Sequence, residues 1–113
     1  MEKWFGCRKT RPDAVVCESD QVAALFANTL RKLKLRIPED VRLAGFDDVN
    51  YAQLMTPPLT TVHQPCEDLA VLAYRTLRER MHAPDIPSRR ILLPASLVIR
   101  ESTGPVKSGF VKS

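Results

Sequence analysis

GFDDVNYAQLMTPPLTTVHQP, residues 45–65, sets an aromatic ring and two adjacent aspartates at the end of an apolar run, then adds a Pro-Pro-Leu-Thr-Thr step. The run before it, residues 41–46, reads as a strand that Gly45-Phe46-Asp47-Asp48 closes. Residues 49–55 suffice for a short helix. Thr56-Pro57-Pro58 stops it, because two prolines remove two backbone donors. Residues 59–63, rich in β-branched side chains, read as a brief extended segment.

Upstream, Asp13-Ala-Val-Val-Cys17 is a short continuous apolar run of the kind that suits a strand buried on both faces of a parallel sheet. Ser19 offers its hydroxyl oxygen to a helix N-terminus. Over residues 20–34, Val22, Phe26, Leu30 and Leu33 recur at helical spacing and form the expected buried stripe, while Ala23, Ala24 and Ala27 make a smoother second face. Arg31, Lys32 and Lys34 gather where cations suit the helix dipole. Pro38 breaks the pattern. Strand, helix and strand in this order join parallel neighbours by a right-handed crossover, so the fold class is α/β, a parallel sheet with flanking helices.

Downstream, Pro65 fits the first turn of a second long helix. Its acidic start (Glu67, Asp68) and basic later turns (Arg75, Arg78, Arg80) match the dipole. Leu69, Ala73, Leu77 and Met81 are its expected buried face, and Pro84 marks its end. Residues 89–100 read as a strand with an edge or bend at Pro94. The segment 105–113 has no pattern and is expected to be mobile.

The chain has 113 residues, room for one small domain, and its 44% apolar and 27% charged composition is globular. No apolar run approaches the ~20 residues of a membrane helix, and the first residues hold no apolar stretch of a secretory signal. The net charge of +4 is scattered along the chain. Cys7, Cys17 and Cys66 are odd in number and lack paired spacing, which predicts reduced thiols in a cytoplasmic protein. His63 and His82 stand far from Cys7 and Cys17, and no CxxC exists, so neither metal nor other cofactor is expected.

In open α/β sheets, ligands sit beyond the carboxyl ends of the strands. Ser19 follows the first parallel strand and Asp47 the second, which directs both to one rim. A carboxylate there can accept two hydroxyl hydrogen bonds from a sugar, or a donor from a purine. The alternative is that Asp47 or Asp48 caps the short helix that follows, the reading composition alone favours. Asp47-Asp48 with His63 could in principle exchange protons. The sequence offers no nucleophile elbow, phosphate-binding loop or metal cluster beside them, so an enzyme is not expected.

Four blocks carry a resemblance. They are PDAVVCESDQVA (12–23), LRIPEDVRLAGFDD (35–48), PPLTTVHQP (57–65) and LLPASLVIRESTG (92–104). In this order and spacing the chain resembles the last third of a bacterial repressor of the lactose-repressor/galactose-repressor family. Members of that family join an N-terminal helix-turn-helix to a two-lobed effector-binding core like that of a periplasmic sugar-binding protein. The resemblance therefore implies a partial three-layer α/β/α core of that type, with residues 1–104 forming the C-terminal part of the effector-binding domain and no helix-turn-helix among them. It assigns Asp47 as an effector contact. Ser19 matches a second contact position that is usually Asn. Gln64 and Cys66 match positions near the effector after the crossover to the other lobe, and Cys66 is small where an aromatic ring can stand. Ala23, Ala24 and Ala27, with Leu54 and Met55, resemble the dimer surface; the alternative is that they are ordinary core packing, since small apolar residues are often buried.

The implied function is that of a cytoplasmic transcriptional regulator whose core binds a small effector, a sugar or related metabolite. It would dimerise, and it would reach operator DNA only through the helix-turn-helix. A fragment of a periplasmic sugar-binding protein is the alternative, disfavoured by the missing export signal and by the Arg-Glu-Ser-Thr-Gly ending. The helix over 65–83 would lack the sheet it normally covers, so self-association or partial order is expected.

Overall fold

The computed structural model describes Phe5 and residues 11–105. The tail beyond Pro105 and Cys7 lie outside the described residues. Strand β1 (Ala14–Val16), helix α1 (Asp20–Lys32), strand β2 (Arg42–Ala44), a 3₁₀ turn (Asn50–Leu54), strand β3 (Thr61–His63), helix α2 (Cys66–His82), strand β4 (Ser96–Val98) and a second 3₁₀ turn (Glu101–Thr103) follow in order.

β1 and β2 are parallel, with Ala14 beside Arg42, Val15 beside Leu43 and Val16 beside Ala44. Parallel bridges Ala44–Thr60 and Asp47–His63 carry the pairing on to β3, and β3 also pairs with β4. The expected strand–helix–strand crossover is present, and the parallel α/β architecture with it. Phe5, residues 11–63 and residues 97–105 lie in one compact unit, and residues 64–96 form another.

In the first unit the core is Cys17, Ala23, Leu43, Ala52 and Leu59, with Val15, Phe26, Ala27, Ile37, Val49 and Met55 packed against it. Leu30 and Val41 are fully buried as well. Ser19 caps α1, its Oγ accepting from Val22 N. Phe26 meets Phe5 edge to face.

Three expectations need correction. β1 is not buried on both faces. Side chains alternate along a strand, so Val15 turns to the core while Val16 stands 78% exposed on the other side, which no described residue covers. In the expected stripe of α1, Leu30 is fully buried and Phe26 packs against the core, but Val22 is exposed, and Asp20 and Ala23 are buried instead. Of residues 89–100, only Ser96–Val98 is strand.

In the second unit α2 has no buried residue. Leu69, Leu77 and Met81, expected inside, are exposed. The helix ion-pairs Glu79 with Arg89 and sets Leu69, Leu72 and Leu77 around a groove shared with Ile91. A face of this kind contributes stability only when covered, at ~25 cal/mol per Å² of apolar area.

Candidate functional site

The carboxyl ends of β1, β2 and β3 form one rim of the first unit, and the backbone sets its spacing. Cys17 N donates to Ala44 O at 2.8 Å, Asp20 N to Phe46 O at 2.8 Å and Asp47 N to Val62 O at 2.9 Å. The residue after Ser19 thus lies against the residue before Asp47, and the structure brings these two candidate contacts to one place.

Asp20 holds this rim together, a role its place in the first helical turn did not reveal. It is fully buried. One carboxylate oxygen accepts from Thr61 Oγ1 at 2.5 Å and the other from Val49 N at 2.9 Å. Gly45 makes room for it, since a Cβ there would sit 2.2 Å from Asp20 Oδ1. This is why the residue before Phe46-Asp47-Asp48 has no side chain.

The N-cap position of the 3₁₀ turn falls on Val49, which supplies no side-chain cap, rather than on Asp47 or Asp48, and Asp20 of α1 takes the amide of Val49.

The two aspartates have diverged. Asp47, half-buried, has φ +110°, and Asp48 has φ +53°. Asp48 N donates to Thr61 Oγ1 at 3.3 Å. The Asp48 carboxylate accepts from Arg100 Nη2 at 2.7 Å and lies 3.0 Å from His63 Nδ1. The Arg100 hydrogen bond, followed by the weaker pull of His63, holds the Asp48 carboxyl below the usual carboxylate range against the opposing effect of burial. Asp48 is therefore an ionised clamp.

The Arg-Glu-Ser-Thr-Gly ending is the fastener for this rim. Ser102 Oγ accepts from Thr60 N at 2.8 Å and donates to Leu43 O at 2.6 Å. Thr60 Oγ1 lies 2.8 Å from Thr103 Oγ1 and also meets both Arg100 N and Arg100 O.

Gln64 and Cys66 belong to the second unit. There Gln64 O accepts from Cys66 N at 2.8 Å, and the Cys66 thiol is exposed at the start of α2.

Of the residues expected on a dimer surface, Ala23 must be withdrawn. It is fully buried in the core and cannot face a second copy. Ala24, Ala27 and Met55 line an open groove of about 510 Å³ with Leu35, Ile37 and Pro57. Leu54 is 77% exposed.

The sequence profile of the periplasmic binding protein-like domain matches residues 2–103. The chain is 37% identical over 100 residues to the ribose operon repressor of Haemophilus influenzae, covering 88% of this chain and 30% of that protein. It is 37% identical over 92 residues to the HTH-type transcriptional repressor PurR of Vibrio vulnificus, covering 81% of this chain and 28% of the relative. Among solved structures, a CelR transcriptional regulator–cellobiose complex superposes with a TM-score of 0.74 at 36% identity, covering 80% of this chain and 28% of that one. A LacI family regulator from Lactobacillus casei with bound sucrose gives 0.72 at 32% identity, covering 89% and 37%. The chain thus spans about a third or less of the length of these proteins. It belongs to the periplasmic binding protein-like domain family, among relatives that are LacI-family transcriptional repressors.

Proposed function

We propose that residues 1–104 are the share of a cytoplasmic LacI-type regulator that supplies one side of a site for a small polyhydroxylated effector, with Asp47 and Ser19 as contacts on the rim. The observation that supports this reading is the placement of two polar residues, Ser19 and Asp47, just past the carboxyl ends of adjacent parallel strands, where α/β sheets take ligands. A carboxylate accepting two hydroxyls suits a sugar, and the related regulators carry cellobiose and sucrose. Gln64 and Cys66 are assigned as further effector contacts on the family resemblance alone, and Cys66 offers no ring for stacking. Ala24, Ala27, Leu54 and Met55 are assigned to a homodimer contact. Operator DNA is assigned to a helix-turn-helix outside these residues. The effector acts by binding one arrangement of the regulator better than another. No catalytic step is part of the reading.

The test is an amide-resolved NMR titration of the 113-residue chain with D-ribose, D-glucose and sucrose. Shifts should cluster at Ser19, Phe46 and Asp47 for at least one sugar, and Asp47→Asn should remove them. Absence of shifts with all three, or shifts indifferent to Asp47→Asn, refutes the assignment.

A further inference from the structure

Asp47 and Asp48 are consecutive non-glycine residues at positive φ, +110° and +53°. Such backbone persists only where its surroundings over-determine it. The turn is held from below by the Asp20 carboxylate on Val49 N and by Thr61 Oγ1 on Asp48 N. Neither bond fixes the Asp48 side chain. That is the work of Arg100, which arrives from 52 residues further along the chain.

The Arg100 guanidinium is a two-pronged bracket. Nη1 donates to Leu59 O at 2.8 Å, on the strand side, and Nη2 donates to Asp48 Oδ1 at 2.7 Å, on the turn side. Its planar fork holds those two acceptors in fixed relation. The base of the bracket is itself pinned, since Arg100 N donates to Thr60 Oγ1 at 2.8 Å and Arg100 O accepts from the same hydroxyl at 3.0 Å. The side chains of both ion-pair partners are mostly enclosed, 19% exposed for Arg100 and 17% for Asp48, so solvent competes weakly. On the other carboxylate oxygen, His63 is half-exposed and offers a single nitrogen, a lesser restraint than the fork.

We infer that Arg100 is a positioning residue for Asp47, acting through Asp48: the fork clamps the strained turn and thereby sets where the Asp47 carboxylate stands on the rim. This rests on the effector reading above for its consequence, but not for its geometry. A lysine at this place would restore the charge and not the fork. The inference therefore distinguishes Arg100→Gln, which removes both, from Arg100→Lys.

The experiment uses the whole chain and reads two quantities. Without ligand, the three-bond amide couplings and amide shifts of Asp47 and Asp48 report the positive-φ turn. Arg100→Gln and Asp48→Asn should each move these two residues toward ordinary φ, while the interior amides of α1 stay in place. Arg100→Lys should move them less. With D-ribose, D-glucose or sucrose, whichever the parent binds, Arg100→Gln should weaken binding roughly tenfold, the scale on which loss of a supporting partner acts, and Arg100→Lys should recover part of it. Should Arg100→Gln fail to fold, Asp48→Asn carries the test, because it keeps the shape of the side chain. Turn couplings unchanged in either variant overturn the inference. A turn that moves while sugar affinity stays at the parent value, with Asp47→Asn still abolishing binding, overturns it as a positioning role. A parent that binds none of the sugars refutes the effector reading instead, and the ligand-free couplings then decide the role of Arg100.

Discussion

Gly45→Ala tests the closest approach in the rim. The new methyl group would lie 2.2 Å from Asp20 Oδ1, 3.2 Å from Asp20 Cα and 3.0 Å from Leu59 Cδ2. None of these atoms ends a long flexible side chain. Asp20 is fixed by two hydrogen bonds at the head of α1, and Leu59 is fully buried. Relief must come from shifting β2 against α1, or from turning the carboxylate away from Thr61. Overpacking of this kind costs about 1–3 kcal/mol. Losing a hydrogen bond to a charged acceptor costs about 1.5–3 kcal/mol. The two routes are alternatives, so the loss is about 1–3 kcal/mol, a sizeable share of the ~5–15 kcal/mol that holds a small domain. In urea, with a slope of roughly 1.5–2 kcal/mol per M, the midpoint should fall by about 1 M. The amide resonances of Leu43 and Thr61 report it from within the core. A midpoint within about 0.3 M of the parent, with Asp20 still bonded to Thr61, would show that the contact is soft and refute the steric account of Gly45.

Ser102→Ala removes the partner of both Thr60 N and Leu43 O in a buried place, and should cost about 2–3 kcal/mol in the same urea assay. Asp48 makes a pH prediction. Its folded carboxyl titrates below its unfolded value, so its contribution is complete above about pH 4 and is lost as pH falls through the lowered folded value. The stability gap between parent and Asp48→Asn should therefore narrow as pH falls from about 5 toward 3, and a gap that widens over that range contradicts the clamp. For the thiols, peptide mapping after brief alkylation should find Cys66 modified and Cys17 protected, since Cys17 is buried and its thiol is pushed up by burial and then by Glu18.

Local chemistry made the first unit legible. An apolar run, an N-cap serine, a helical apolar period and a proline break are each readable within a few residues, and they yield β1, α1 and β2 in parallel order. The errors lie where the deciding partner is distant. Asp20 looks like an acidic first-turn residue, yet its partners Val49 and Thr61 are 29 and 41 residues away. Ala23 belongs to a face of small residues whose periodicity is the same whether it meets a sheet or another molecule, and only the position of Leu43 and Leu59 decides for the sheet. The spacing of Leu69, Ala73, Leu77 and Met81 states that one side of α2 is apolar. It does not state that anything covers it, and among the described residues nothing buries it.

Three aspartates show why residue type alone could not place the site. Asp20 is enclosed and accepts two neutral donors, which makes it a structural bolt between α1 and the turn. Asp48 meets the cations of the rim, Arg100 and, when protonated, His63, so its charge is committed to holding the chain in place. Asp47 lies between them, half-buried, on a backbone that relaxed chain would not adopt. Strain of about 1–3 kcal/mol per such residue persists only if something else in the fold depends on it or fixes it. The fixing is visible in the Arg100 fork and the Asp20 carboxylate. Relaxing the turn would cost the bond from Asp47 N to Val62 O and disturb Val49, which packs against the core. The turn thus sets Asp47 at the carboxyl end of the sheet, which is where the proposed effector contact requires it.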